Sequence, residues 1–184
     1  MEFVKRNPKI FIISGKAKSG KDTVGKMIEA HYHDKKCIEL AYAYYLKDYA
    51  KRITDWNGEE TTKPRLLLQQ LGVGLIKEKI DKHLLIDRLL EDIEVFSYFY
   101  DIIYITDARL IEEIEIPKER YPEAITIRVN RENYENGLTK EEQDHITETG
   151  LDHYHNYDYV IDNNQDLNAL EKKVECVLEE VDHA

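Results

Sequence analysis

The sequence predicts an α/β protein of three layers, with helices on both faces of a five-stranded parallel sheet. Three observations carry that prediction. Short apolar runs alternate with longer segments whose apolar residues recur every three or four positions. Several runs are apolar without interruption, the pattern of parallel strands buried on both faces. The first run ends in a glycine turn and leads directly into a helical pattern, "IISGKAKSGKDTVGK", Ile12 to Lys26.

In chain order, strands are expected at 9–13 (KIFII), 37–40 (CIEL), 101–106 (DIIYIT), 124–129 (AITIRV) and 157–161 (YDYVI). Helical periodicity covers 21–32, 43–54, 64–79, 82–96, 109–115 and 166–182. Val24, Met27 and Ile28 make the apolar side of the first helix. Tyr42, Tyr45 and Tyr49 form a stripe in the second, read as core in preference to a base-stacking platform. The last helix is the clearest, with Leu167, Leu170, Val174, Val177, Leu178 and Val181 on one face and Glu and Lys on the other. Segment 131–153 is polar and lies between two strands, so it reads as a lid, with a solvated irregular loop as the alternative. No repeat, low-complexity tract or linker interrupts the chain, and 184 residues suit one domain spanning 1–184.

The turn after the first strand has the parts of a phosphate-binding loop. Glycines let backbone approach phosphates, exposed amides and a helix N-terminus hold the anion, and a lysine reaches the transferred group. Gly15, Lys16, Ala17, Lys18, Ser19, Gly20 and Lys21 fill those places. The pattern next asks for Ser or Thr on the metal, yet Asp22 stands there, with Thr23 one place late. A carboxylate is a hard oxygen donor, so Asp22 is expected to serve magnesium directly or through water. Lys16, Lys18, Lys21 and Lys26 offset its charge.

A net charge of −11 argues against a duplex nucleic-acid partner, which needs a basic footprint, but not against a nucleotide. Cys37 and Cys176 are far apart and read as reduced thiols of a cytoplasmic protein. No run reads as a signal peptide or membrane span. Oligomeric state, a homodimer included, is open.

"SGKAKSGKDT" resembles the loops of the phage-type deoxynucleoside monophosphate kinases and the animal-type phosphomevalonate kinases, in which aspartate follows the lysine. "YAYYLKDYA" (42–50) is similar to their Ala-x-x-Leu-Lys stretch, and "RLLLQQLG" (65–72) to the Arg-x-x-Leu-Gln-x-x-Gly helix of the deoxynucleotide branch. "ITDAR" (105–109), "IRVNR" (127–131), "DHITETGLD" (144–152) and "YDYVIDNNQDLNAL" (157–170) match later elements, including a His-x-Ser/Thr-Glu motif. Tyr44-Tyr45 replace a frequent Asp-Pro, and the lid is poor in arginine. The resemblance implies a P-loop NTPase fold of the nucleoside monophosphate kinase type, with ATP and magnesium.

It also implies site residues. Asp107 ends its strand where P-loop enzymes place an acid for magnesium or its waters, with a helix cap near Arg109 as the alternative. Arg109 suits bidentate contact with an acceptor phosphate, against an ion pair to Glu112 or Glu113. Arg65 and Gln69 share a helical face and, with Lys47, are expected in the acceptor pocket. Arg131 ends its strand beside the lid and is placed over the nucleotide, whereas Arg128 reads as structural. Asn163 is expected beside the nucleotide and His145 as a lid contact to substrate. His145, His153 and His155 lack a tetrahedral ligand pattern for zinc.

The expected reaction is transfer of the ATP γ-phosphoryl group to a deoxynucleoside monophosphate. Phosphomevalonate, a hydroxyl acceptor such as dephospho-coenzyme A, and a nucleotide-binding regulator with slow ATPase are the alternatives. A hydroxyl acceptor would make Asp22 or Asp107 a candidate base.

Overall fold

The computed structural model describes residues 3–58, 62–132, 134, 135 and 137–183. Asn133 and Asn136, within the predicted lid, lie outside the described residues. Five strands, β1 (Lys9–Ser14), β2 (Cys37–Leu40), β3 (Ile102–Ala108), β4 (Ile125–Asn130) and β5 (Tyr159–Asp162), form one sheet in the order β2-β3-β1-β4-β5. Every pairing is parallel, as expected. Beside them lie α1 (Lys21–His31), α2 (Tyr42–Ile53), α3 (Thr62–Gln69), α4 (Leu84–Phe96), α5 (Glu112–Arg120), α6 (Lys140–Asp144), α7 (Ile146–Thr149) and α8 (Leu167–His183).

Strand period explains the layers. On β1, Ile10 and Ile12 join one core with Ile86, Leu89 and Ile93 of α4, while Phe11 and Ile13 join another with Val24 and Ile28 of α1 and Leu170, Val174 and Leu178 of α8. An uninterrupted apolar run is therefore a strand covered on both faces. Each fully buried isoleucine contributes about 1.5–3 kcal/mol relative to exposure. The tyrosine stripe is packing: Tyr42 is buried in the α4 core, and Tyr45 bonds Asp92 of α4.

Two helices differ from expectation. The predicted helix over 64–79 is α3 continued by a π-helix, Gln70–Ile80. The i−5 winding puts the buried Leu71 and Ile76 five apart, too short a stretch of altered spacing to stand out from the α-helical pattern before it. The predicted helix over 109–115 runs instead from Glu112 to Arg120 through Pro117. Proline leaves the carbonyl four residues earlier without its donor, and the Tyr42 hydroxyl supplies one to the Glu113 carbonyl at 2.7 Å. A contact between distant segments thus repairs the helix.

Segment 131–153, read as a lid or an irregular loop, includes α6 and α7. A reciprocal capping box between Thr139 and Glu142 starts α6, and the His145 ring accepts from the Thr147 amide to start α7. Among the described residues no helix is long and apolar enough to cross a membrane.

Candidate active site

The site is built at the carboxyl end of central strand β1. The loop after Ser14 needs glycine for space at two points. A Cβ on Gly15 would stand 2.6 Å from the Val129 carbonyl, and one on Gly20 would stand 2.5 Å from Asn163 Nδ2. Gly20 has φ 104°, and Lys18 also adopts a left-handed φ of 58°, a strained geometry typical of functional loops. Asn163, expected beside the nucleotide, is buried and donates to the Ser19 carbonyl at 2.9 Å, so it braces the loop from behind.

The loop is prepared for an anion. Among the described residues, the amides of Lys18, Gly20 and Lys21 make no backbone hydrogen bond, which leaves donors at a helix N-terminus. Ser14 and Ser19 carry buried hydroxyls without partners. Lys21 is buried, and its Nζ donates to the Lys16 carbonyl at 3.0 Å. Burial, followed by repulsion from Arg109, lowers its pKa to about 8.

Asp22 is exposed on the first turn of α1, and no hydrogen bond or ion pair among the described residues engages its carboxylate. Asp107 owes its position to a bulge. Ile12 pairs with Ile105 but Ser14 pairs with Ala108, so β3 gains one residue around Thr106 and Asp107. Such bulges redirect side chains beside sites. Here the Asp107 carboxylate accepts from the Tyr42 and Ala43 amides at 3.1 and 2.8 Å and so caps α2, not the helix after Arg109. Burial pushes its carboxyl up, and the Ala43 and Tyr42 amides oppose that.

The cations converge on a residue that sequence reasoning passed over. Glu148 Oε1 pairs with Arg109 Nη1 at 2.7 Å and Arg65 Nη2 at 2.9 Å, and its Oε2 accepts from the Ala17 amide at 2.8 Å. Its side chain is 4% exposed. Arg109 therefore does not pair its guanidinium with Glu112 or Glu113; Glu113 accepts from the backbone amides of Arg109 and Leu110 instead. Burial raises the Glu113 carboxyl to about 7. Lys16 adds a second tie from the loop, to Asp152 at 2.8 Å.

Arg65, Gln69 and Arg109 line one cavity of about 220 Å³ with Leu46, Val73 and Ile76. Gln69 also reaches Thr147 Oγ1 at 3.5 Å. Lys47 is not among the lining residues. His145, expected to meet substrate, uses its ring to cap α7, bonding the Thr147 amide and hydroxyl. On the other side of the loop, Arg131 lies 3.8 Å over the Tyr134 ring, and both face Lys16, Lys18 and Ser19. Arg128, read as structural, bonds Asn130 and lies over Tyr157.

A family model of deoxynucleotide monophosphate kinase matches residues 44–174. The chain belongs to that kinase family. Solved structures agree on the fold of this deoxynucleotide monophosphate kinase family member. An APS kinase from Mycobacterium tuberculosis, in complex with AMPPNP and APS, is 10% identical with a TM-score of 0.62, over 97% of this chain and 99% of that one. A shikimate kinase from Bacteroides thetaiotaomicron is 12% identical with a TM-score of 0.57, over 95% and 98%. A gluconokinase from Sinorhizobium meliloti 1021 is 14% identical with a TM-score of 0.54, over 96% and 95%. At such identities these likenesses show the fold alone. The family membership makes the protein a P-loop kinase that uses a nucleotide and phosphorylates a small substrate.

Proposed function

We propose that this kinase transfers the γ-phosphoryl group of ATP to the phosphate of a deoxynucleoside monophosphate, giving the diphosphate. The observation that carries the reading is the convergence of Arg65 and Arg109 beside the phosphate-binding loop, at a cavity with apolar walls. Two guanidiniums suit an acceptor phosphate, and apolar walls suit the face of a base. A phosphate acceptor is largely ionised at neutral pH, so catalysis needs positioning and charge neutralisation in place of a strong base. The kinase acts as one domain over 1–184, in the cytoplasm, with 131–153 as its lid.

Lys21 meets the transferred phosphoryl group, and the amides of Lys18, Gly20 and Lys21 hold the donor phosphates. Arg109 and Arg65 orient the acceptor phosphate, with Gln69 beside them and Lys47 and His145 outside direct contact. Arg131 and Tyr134 border the donor nucleotide. The donor set fits magnesium brought in with ATP: Asp22 offers an unengaged carboxylate, and Asp107 a second, buried acid. Magnesium takes further ligands from substrate phosphates and water. When bound, the ion supplies charge neutralisation on the phosphate oxygens.

The test is a coupled ADP-release assay across deoxynucleoside monophosphates, ribonucleotides and phosphomevalonate. The expected result is the highest kcat/KM with one deoxynucleoside monophosphate. A preference for phosphomevalonate, or ATP turnover indifferent to every acceptor, overturns the proposal.

A further inference from the structure

Glu148 stands where an anion is wanted. Its carboxylate touches two arginine guanidiniums and a loop amide, and it lies close enough to Lys21 to act on that charge. It satisfies the arginines poorly, because both share the single oxygen Oε1. Arg65 Nε, buried, makes no hydrogen bond and is 3.6 Å from Glu142 Oε1. A tetrahedral dianion has more oxygens and more charge than one carboxylate, and it could serve the two forks separately.

We propose that Glu148 determines acceptor specificity by occupying the acceptor phosphate's position until a dianionic phosphate displaces it. The inference rests on the reading that Arg65 and Arg109 receive the acceptor phosphate. A hydroxyl compound or water carries no charge with which to compete for the arginines, and so does not open the site. Displacement also releases the Ala17 amide, which couples acceptor entry to the loop that holds the donor. The latch lies on α7, between the capped start at His145 and the tie from Lys16 to Asp152. The segment therefore has a defined closed position to leave.

The test measures equilibrium binding of inorganic phosphate to the wild type, Glu148→Gln, and Glu148→Gln combined with Arg109→Ala. Glutamine keeps the shape and loses the charge. Without a built-in competitor, Glu148→Gln should bind phosphate about tenfold more tightly, and adding Arg109→Ala should abolish the gain. Unchanged or weaker binding would make Glu148 a brace that the arginines require, and would end the proposal. So would a gain that survives Arg109→Ala, since the anion would then sit in the loop alone.

If Glu148→Gln does not fold, hydrogen exchange of the Ala17 amide in the wild type decides. Saturating phosphate should accelerate it, and slower or unchanged exchange overturns the latch. The kinase assay keeps the two readings apart. Tighter phosphate binding without phosphorylation of any monophosphate would sink the proposed reaction but keep the latch. Phosphorylation without tighter binding would sink the latch alone.

Discussion

The role proposed for Lys21 needs its charge, and burial sets that charge a pH limit. Lys21 has its pKa lowered to about 8, first by burial and second by Arg109. The charge is present below that value and is lost as pH rises through it. We expect kcat/KM for ATP, which reports the free enzyme, to be level below pH 8 and to fall about tenfold per unit above it. The limb in kcat should lie at higher pH, because bound phosphates favour the charged form. Arg109→Ala removes the second cause, so it should move the kcat/KM limb upward while lowering the rate with acceptor. A kcat/KM profile that stays level well above pH 9 would show that Lys21 is not the titrating group.

At the scale of elements, the π-helix lines the cavity proposed for the acceptor, and its two glycines are not equivalent. A Cβ on Gly74 meets nothing within 4 Å, whereas one on Gly72 would stand 3.1 Å from Leu46 Cδ1. Gly74→Ala should therefore stabilise the protein by about 0.5–1 kcal/mol, through reduced freedom of the unfolded chain. Gly72→Ala should press Leu46 into the cavity, which both residues line, and raise KM for the acceptor with little change in KM for ATP. Thermal melting and two-substrate kinetics read the pair. A destabilised Gly74→Ala would mean that the helix depends on glycine there to keep its wider winding.

Across the whole molecule, α8 is fastened to β1 and α1. Asp182, near the end of α8, accepts from Lys9 at the start of β1 and from Tyr32 after α1, and lies 3.2 Å from His31. Lys9, His31 and Asp182 are partly exposed, so the cluster is worth about 1 kcal/mol and no more. Asp182→Asn should lower Tm by about 2–4 °C. The cluster sits at the amino end of β1, whereas the loop leaves its carboxyl end, so ATP kinetics should be unchanged. An altered KM for ATP, or no change in Tm, would refute this division of the strand into an anchored end and a working end.

The sequence by itself determined the sheet and the strand-loop-helix unit that follows β1. Strand 37–40 was legible to the residue, and the other four to within two positions, because side-chain period is a local property of the chain. The loop was legible for the same reason: Gly15, Gly20 and Lys21 stand at a fixed spacing between a strand and a helix. Tertiary structure alone decided the rest. Asp107 meets α2 because a bulge turns it there, Pro117 stays in a helix because Tyr42 supplies a donor, and Glu148 finds Arg65, Arg109 and Ala17 from 83, 39 and 131 residues away. The His-x-Ser/Thr-Glu motif marked the right stretch, but nothing in it tells a solvated glutamate from one held by two arginines. That difference is set by which segments the fold brings together, and no local pattern encodes it.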